Sequence, residues 1–245
     1  MSSDTHFTRE NLDFYLSELA KEYRKLGGKS MPAEVILIGG ASILANYGFQ
    51  NMTYDMDAII SASSAIRDAI NRVGDKYGLP NGWLNTDFVR TKSDTPKLIE
   101  YSVYYKTFSG VLTVRTVSAE YLIAMKLKSG WRYKNDISDV VGIVGEHNAK
   151  GKPLTFAQID KAVRELYGSW DGIPAGLKEF VTFVLKQPDK PALYERYRGL
   201  ENQSKDILLE FEQNHPDVAN ENENNVSAIL EKALRKKQSK NGPER

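Results

Sequence analysis

Residues 35–60, VILIGGASILANYGFQNMTYDMDAII, hold the pattern that decides the fold of this chain. Glu34–Ile38 is a short apolar run rich in β-branched residues, which predicts a buried strand. Gly39–Gly40 ends this strand and opens a helix, because small residues suit a tight turn between the two elements. A second apolar strand is predicted at Met56–Ile60. One short helix joins the two strands, so we expect the glycine turn to lie near the start of the second strand.

The second strand begins with two aspartates, Asp55 and Asp57, at spacing i and i+2. Side chains at this spacing in an extended strand point to the same face. Two carboxylates about 4 Å apart repel each other by about 4 kcal/mol at an effective dielectric constant of about 20, so the pair needs a cation. Mg²⁺ is the natural cation for a site made only of oxygen ligands. The alternative is a pair of solvated residues at the edge of a sheet.

The Gly39–Gly40 turn is a candidate phosphate site, since backbone N–H groups at a helix N-terminus bind anions. Ser42 lies two residues further into the helix, and its hydroxyl is a candidate partner for a phosphate oxygen. The alternative is a turn whose glycines serve only the backbone. A phosphate site beside a metal-binding pair of carboxylates indicates phosphoryl or nucleotidyl transfer.

Length and composition exclude several other classes of protein. The chain has 245 residues, 41% of them hydrophobic, so it has enough apolar residues for a sizeable core. A formal net charge of +1 means that any basic patch is local, and the absence of cysteine excludes disulfides, thiolate zinc sites and cysteine nucleophiles. The three histidines are scattered, which disfavours a histidine metal site or a Ser-His-Asp triad. No apolar run reaches the roughly 20 residues of a membrane span and no apolar signal segment is present, so we expect a cytoplasmic protein without a membrane partner.

The order of predicted elements indicates an α+β fold. In the first part of the chain, helices are predicted at 8–26, 63–77, 118–129 and 136–147, and further strands at 98–105 and 111–117. Helical patterns dominate after Lys150, at 155–167, 174–186, 190–214 and 225–237. We therefore predict two domains, an α+β domain over 1–150 and a mostly helical domain over 151–245. The basic ending RKKQSKNGPER reads better as a solvated, disordered end than as a nucleic-acid-binding segment.

These segments resemble the nucleotidyltransferase superfamily of the polymerase-β type. Its motif is an apolar strand, Gly-Gly or Gly-Ser, a helix and an Asp-x-Asp strand, which Gly39, Gly40, Asp55 and Asp57 match. The segment VSAEYLIAMKLKSGWRYKNDISDV, residues 117–140, resembles the lysine-containing helix and the following acidic segment of the bacterial AbiEii-like minimal nucleotidyltransferases. Together the resemblance spans about residues 33–143. It implies a nucleotidyltransferase-like mixed sheet with helices.

The resemblance also implies a set of site residues. Asp55 and Asp57 would hold one or two Mg²⁺ ions that bridge the triphosphate of an NTP substrate. The glycine turn and Ser42 would bind its phosphates. The matched residues of the second segment would lie near the active site, with Lys126 neutralising phosphate charge and Arg132 contacting the nucleotide; this set is Lys126, Arg132, Lys134, Asp136 and Asp139.

Asp136 and Asp139 stand at spacing i and i+3 and share a helix face, so they are candidates to organise Lys126, Arg132 or the metal site. The alternative is that they are acidic because a helix N-terminus favours negative charge. The superfamily also has a third carboxylate on a later strand, as a general base or a further metal ligand. We prefer Glu100, in the predicted strand KLIEYSVYY, to Asp87, in the irregular segment NTDFVRT.

The resulting functional hypothesis is a metal-dependent nucleotidyltransferase that moves a nucleoside monophosphate from an NTP to an acceptor. RNA ends, protein side chains and small molecules all remain open as acceptors. The AbiEii-like branch includes toxins of toxin–antitoxin pairs, which implies a cognate antitoxin or toxin as a partner. The alternative, motivated by the unassigned third carboxylate, is a non-catalytic nucleotide-binding or protein-interaction module. In a third reading, the glycine and aspartate motifs coincide by chance and do not converge.

Overall fold

A computed structural model describes residues 6–54, 56–129 and 136–214, with only the backbone described over 204–214. The described residues form seven strands and eight α-helices. Their order along the chain is β1 (Phe7–Thr8), α1 (Arg9–Tyr23), β2 (Ala33–Leu37), α2 (Gly39–Asn46), β3 (Met52–Thr53), β4 (Met56–Ser61), α3 (Ala65–Tyr77), β5 (Leu84–Asn85), β6 (Ser102–Phe108), β7 (Leu112–Val117), α4 (Ala119–Ser129), α5 (Asp136–Ala149), α6 (Phe156–Tyr167), α7 (Ala175–Lys186) and α8 (Lys190–Asn214).

Five of the strands form one mixed sheet in the order β5-β4-β2-β7-β6. β2 is parallel to β7 and antiparallel to β4, while β6 is antiparallel to β7 and β5 is parallel to β4. We call the edge at which β2 and β7 end, and β4 and β6 begin, the upper edge, and the opposite one the lower edge. The two short strands β1 and β3 pair separately. This mixed sheet with its helices confirms the predicted α+β fold class.

Both faces of β2 are buried, as its apolar sequence predicts. Val35 and Leu37 pack in one core cluster with buried residues of α1 and α3. Side chains alternate along a strand, so Ile36 and Ile38, which are 2% and 0% exposed, are buried on the opposite face. The central strand is therefore fixed from both sides, which gives the turn that follows it a rigid support.

Helix boundaries follow local signals in the sequence. Thr8 caps α1 in a capping box with Asn11, and Gly78 ends α3 in the left-handed conformation, with φ of 64°. The predicted helix after the glycine turn is present but begins at Gly39 and ends at Asn46 rather than at Gly48.

The predicted strand 98–105 is wrong over its first half. Thr95 accepts a hydrogen bond from the Lys97 N–H and Pro96 occupies the first turn, so Pro96–Ile99 forms a 3₁₀ turn. β6 begins only at Ser102. The apolar residues of this segment resemble a strand in sequence, but the Thr-Pro turn signal determines the local structure.

The chain divides into two compact units, one ending at Glu195 and the next beginning at Arg196, within α8. The predicted division into domains 1–150 and 151–245 stays a prediction. The predicted helix 225–237 and the basic ending lie outside the described residues. In the part of the chain that the structure describes, no helix combines the length and the apolar character that crossing a membrane requires.

Candidate active site

The Gly39–Gly40 turn lies at the upper edge, between the end of β2 and the start of α2. Gly39 has φ of +54°, a left-handed conformation that favours glycine. A Cβ atom at residue 40 would lie 2.7 Å from Thr53 Oγ1, so only glycine fits against this short side chain without a shift. The two glycines are therefore required by the geometry, one for its backbone conformation and the other for a close approach.

Asp57 lies beside this turn. Its main-chain carbonyl accepts a hydrogen bond from the Ile38 N–H at 3.0 Å, and a Cβ atom at residue 39 would lie 3.9 Å from Asp57 Oδ2. The side chain is half-buried and stands opposite Asn85 of β5 in the sheet register. The structure thus brings Asp57 and the glycine turn together, and the reading in which the two motifs do not converge is wrong for Asp57.

Three of the predicted site residues, Asp55, Arg132 and Lys134, lie outside the described residues. Among the residues that the structure does describe, no three histidine, aspartate or glutamate side chains converge as a metal site. The donor chemistry of Asp57 fits Mg²⁺, because its carboxylate supplies oxygen atoms beside the N-terminus of α2. The roles of Asp55 and Asp57 as metal ligands stay predictions.

Ser42 does not face a phosphate site. It is fully buried, and its hydroxyl accepts a hydrogen bond from the Val117 N–H at 3.2 Å. This bond ties α2 to the end of β7 at the upper edge. We therefore correct the prediction that Ser42 binds phosphate and assign it a structural role.

Two residues that lie next to the glycine turn are not part of the sequence motif, and the motif does not predict them. Thr53 packs against Gly40, as described above, and Gln50 donates a hydrogen bond from Nε2 to the Met52 carbonyl at 3.0 Å. The other amide atom of Gln50, Oε1, is buried and accepts no hydrogen bond from any residue that the structure describes. Both residues belong to the segment between α2 and β4, whose position only the folded structure reveals.

Lys126, Asp136 and Asp139 form a buried ionic cluster between α4 and α5. Lys126 Nζ lies 2.7 Å from Asp136 Oδ1 and 2.8 Å from Asp139 Oδ2. The Lys126 side chain is 12% exposed and the two carboxylates are 3% and 4% exposed. The Ser129 hydroxyl also donates to Asp136 Oδ2 at 2.5 Å. The two aspartates share the first turn of α5, as their spacing predicts, and of the partners left open by the sequence the described structure brings Lys126 to them.

The electrostatics of this cluster keep Lys126 charged. Burial alone would lower the pKa of Lys126, but the nearby charges of Asp139 and Asp136 outweigh it and raise the pKa above its ordinary value. The ammonium group is thus held by two carboxylates inside the protein. We therefore correct the prediction that Lys126 neutralises phosphate directly. Its ion pairs give it a role in positioning α5 against α4.

Glu100, the preferred candidate for the third carboxylate, does not lie beside β4, the strand that carries Asp57. It is exposed, follows the 3₁₀ turn and precedes β6, so its assignment to an apolar strand is wrong. β2 and β7 lie between β4, which carries Asp57, and β6, which follows Glu100, so these two strands are three strand spacings apart, about 14 Å. That distance is beyond direct cooperation of two carboxylates in one site.

Asp87 is the better placed of the two third-carboxylate candidates. It is exposed and lies two residues after Asn85, the residue of β5 that stands opposite Asp57. The Asp87 N–H donates to Asn85 Oδ1 at 2.8 Å, which ties the start of its 3₁₀ turn to the end of β5. The topology therefore favours Asp87 over Glu100, and the identity of the third carboxylate stays a prediction.

Replacing Gly40 with alanine is expected to destabilise the fold by about 1–3 kcal/mol, because the new methyl group overlaps Thr53 Oγ1. Urea unfolding measures the change in the free energy of unfolding. Gly176→Ala is the matched control, since a Cβ atom there meets nothing within 4 Å. Adding Thr53→Ala to Gly40→Ala should recover part of the loss. Equal unfolding midpoints for Gly40→Ala and Gly176→Ala would contradict this close approach.

Comparison with known proteins gives one family. The sequence model of the family described as "Nucleotidyltransferase of unknown function (DUF6036)" matches residues 15–144, more than half of the chain. The match begins within α1, spans the glycine turn, Asp57 and Lys126, and ends within α5. No curated protein and no solved structure matches the chain.

Proposed function

This chain belongs to that nucleotidyltransferase family, and from this premise we propose that it transfers a nucleoside monophosphate from an NTP to an acceptor with the help of Mg²⁺. The observation that carries the proposal is the contact between the Gly39–Gly40 turn and Asp57 at the upper edge. A phosphate site and a carboxylate metal ligand must adjoin for this reaction, and the residues to which we assign these two roles lie side by side.

The glycine turn would bind the phosphates. The first N–H groups of a helix have no intrahelical partner and carry part of the positive end of its dipole. Gly39 and Gly40 open α2, and neither has a side chain that would keep a phosphate away from the backbone. The half-buried position of Asp57 beside this turn brings its negative charge close to the same helix end.

Asp55 and Asp57 would hold the metal, one or two Mg²⁺ ions in all. When bound, Mg²⁺ neutralises the triphosphate and polarises the phosphorus that is attacked. In the transfer, an acceptor oxygen forms a bond to the α-phosphorus, the bond to the bridging oxygen breaks, and pyrophosphate leaves. The acceptor hydroxyl loses its proton to a carboxylate, and Asp87 is our candidate because it follows the strand next to Asp57.

Lys126 acts in this proposal as a positioning residue. Its two ion pairs fix the start of α5 to α4 inside the protein. The segment between these helices contains Arg132 and Lys134, which the sequence resemblance places near the nucleotide. Lys126 would thereby fix the two helices that flank this segment.

The finer assignment, to the AbiEii-like branch and to a toxin–antitoxin pair, is supported only by the sequence resemblance of residues 117–140. It predicts that expression of the chain alone arrests growth and that a neighbouring gene product relieves the arrest. Growth curves with and without that product test the assignment. Unimpaired growth at a verified level of active protein would remove it.

Calorimetry with an NTP analogue that has a methylene group between the α- and β-phosphates tests the nucleotide site, because this analogue binds without reacting. We expect a dissociation constant below about 1 mM in the presence of Mg²⁺, and a much weaker one with EDTA. No binding at millimolar analogue would contradict the proposal. Binding without any transfer from a normal NTP would instead support a non-catalytic nucleotide-binding module, which the displacement of Glu100 favours as the second candidate.

A further inference from the structure

The lower edge of the sheet carries a groove that the proposed reaction does not use. It is an open groove of about 670 Å³ between the second half of α1 with the residues that follow it, Lys76 near the end of α3, and Ser109 in the hairpin between β6 and β7. Five cationic side chains line it, namely Lys21, Arg24, Lys25, Lys29 and Lys76. The chain as a whole has a net charge of only +1, so this is a local concentration of positive charge.

The acidic groups of the groove do not balance its cations. Glu18 and Glu22 are its two carboxylates. Two helix C-termini add about −0.5 elementary charge each. The five cations exceed the two carboxylates and the two helix ends by about two positive charges. The cations are therefore more numerous than is needed to neutralise the helix ends and the carboxylates.

The carboxylates that are present are already engaged. Glu18 pairs with Lys21 at 2.7 Å and with Lys76 at 2.8 Å. Hydrogen bonds from Lys21, Lys76 and Tyr77 lower the pKa of Glu18 to about 2, so it stays ionised and bound to them. Glu22 pairs in the same way with Lys25.

Two cations of the groove remain available to a ligand. Arg24 uses Nη1 to donate to the Ser109 carbonyl at 3.0 Å, which orients its guanidinium across the groove and spends one of its five N–H donors. Lys29 is exposed, and its ammonium forms no ion pair with any side chain that the structure describes. The paired lysines also stay accessible, since Lys21, Lys25 and Lys76 are 57%, 66% and 54% exposed.

We propose that this groove binds the phosphate backbone of a polynucleotide. Its lining consists of charged residues and one serine, with no apolar or aromatic side chain among them. Protein interfaces have an apolar and aromatic centre, whereas contacts to nucleic-acid phosphates are made by lysine, arginine and serine. The cations are spread along an open surface, which suits a row of phosphates better than one compact anion.

The location gives the ligand a place in the reaction. β2 runs between the two edges, and its five residues span about 17 Å. That length corresponds to about five nucleotides at 3.4 Å per step in a helical strand. The end of a polynucleotide that is bound in the groove would thus reach the upper edge, where it would act as the acceptor of the nucleoside monophosphate. This step rests on the proposed function, but binding in the groove does not.

Fluorescence anisotropy with labelled twelve-nucleotide oligouridylate and oligodeoxythymidylate, without any NTP, tests the groove in the full chain. The logarithm of the affinity should fall linearly with the logarithm of the salt concentration, by about 0.7 per phosphate contacted. Arg24→Gln with Lys29→Gln should reduce this slope by about 1.4 and weaken binding at low salt by about tenfold or more. Lys152→Gln with Lys186→Gln, two exposed lysines outside the groove, is the matched control.

The outcomes distinguish a polynucleotide site from a site for any acidic molecule. An unchanged salt slope in the groove variant, or an equal loss in the control, would overturn the proposal, as would no binding by the unmodified protein. Equal competition by polyglutamate at the same charge concentration would also overturn it, because a general acidic partner would then suffice. Lys29→Gln alone repeats the test without disturbing the Arg24 contact to Ser109. Loss of transfer with intact oligonucleotide binding would count against the reaction and not against the groove.

Discussion

Replacing Asp57 with asparagine is expected to lower the rate of nucleotide transfer by about three orders of magnitude without unfolding the protein. A metal ion contributes several kcal/mol of charge stabilisation in such a reaction, and about 1.4 kcal/mol corresponds to a factor of ten in rate. Asparagine has the same shape as aspartate, and the bond from the Ile38 N–H goes to the main-chain carbonyl of residue 57, which the substitution keeps. Initial rates of label incorporation measure the effect.

Asp75→Asn is the matched control for this substitution, because Asp75 is an exposed carboxylate on α3. Its rate should equal that of the unmodified protein. Circular dichroism and unfolding midpoints should agree among all three proteins. If Asp57→Asn and Asp75→Asn transfer the nucleotide equally fast, the glycine turn and Asp57 are not the active site.

Replacing Lys126 with methionine is expected to cost about 3–5 kcal/mol of stability, the largest structural effect that we predict. The substitution keeps an unbranched side chain that is one atom shorter and removes the positive charge that faces Asp136 and Asp139. Both carboxylates are almost fully buried, so they would lose a cation that offsets their desolvation. The free energy of unfolding, obtained from urea titrations, measures this change.

Lys128→Met serves as the control for the same helix. Lys128 is part-exposed and donates to the Asp171 carbonyl at 3.0 Å, so its loss should cost less than about 1 kcal/mol. Changing Asp136 and Asp139 to asparagine together with Lys126→Met removes these three charges and should recover part of the stability. Similar unfolding midpoints for Lys126→Met and Lys128→Met would show that the cluster does not stabilise the fold.

The sequence predicts the elements around the active site because their signals are local. The apolar run before Gly39 becomes a strand buried on both faces, and the glycine pair becomes a turn that only glycine fits. The spacing of Asp136 and Asp139 predicts that they share one helix face, and both meet Lys126 there. The elements themselves are predicted from signals within short stretches of the chain, whereas the contacts with Thr53 and Lys126 come from the fold.

The sequence fails where distant segments decide the environment of a side chain. The sequence predicts that Ser42 binds phosphate, but its hydroxyl is buried and accepts a hydrogen bond from the N–H of Val117, which lies far along the chain. The sequence around Glu100 resembles a strand, but Glu100 precedes β6. Two strands then separate β6 from β4, which carries Asp57, and the sequence does not show this order. The cationic groove combines α1, α3 and the Ser109 hairpin, and no stretch of sequence shows that these meet.

Transfer of label from the α-phosphate of an NTP tests the central claim most directly. The protein is incubated with Mg²⁺, an extract that supplies acceptors, and each NTP in turn, labelled at either the α- or the γ-phosphorus. A nucleotidyltransferase moves the α-label to an acceptor and releases the γ-label as pyrophosphate, and we predict this result, abolished in Asp57→Asn. Transfer of the γ-label to an acceptor, or α-label transfer that Asp57→Asn leaves unchanged, would contradict the account.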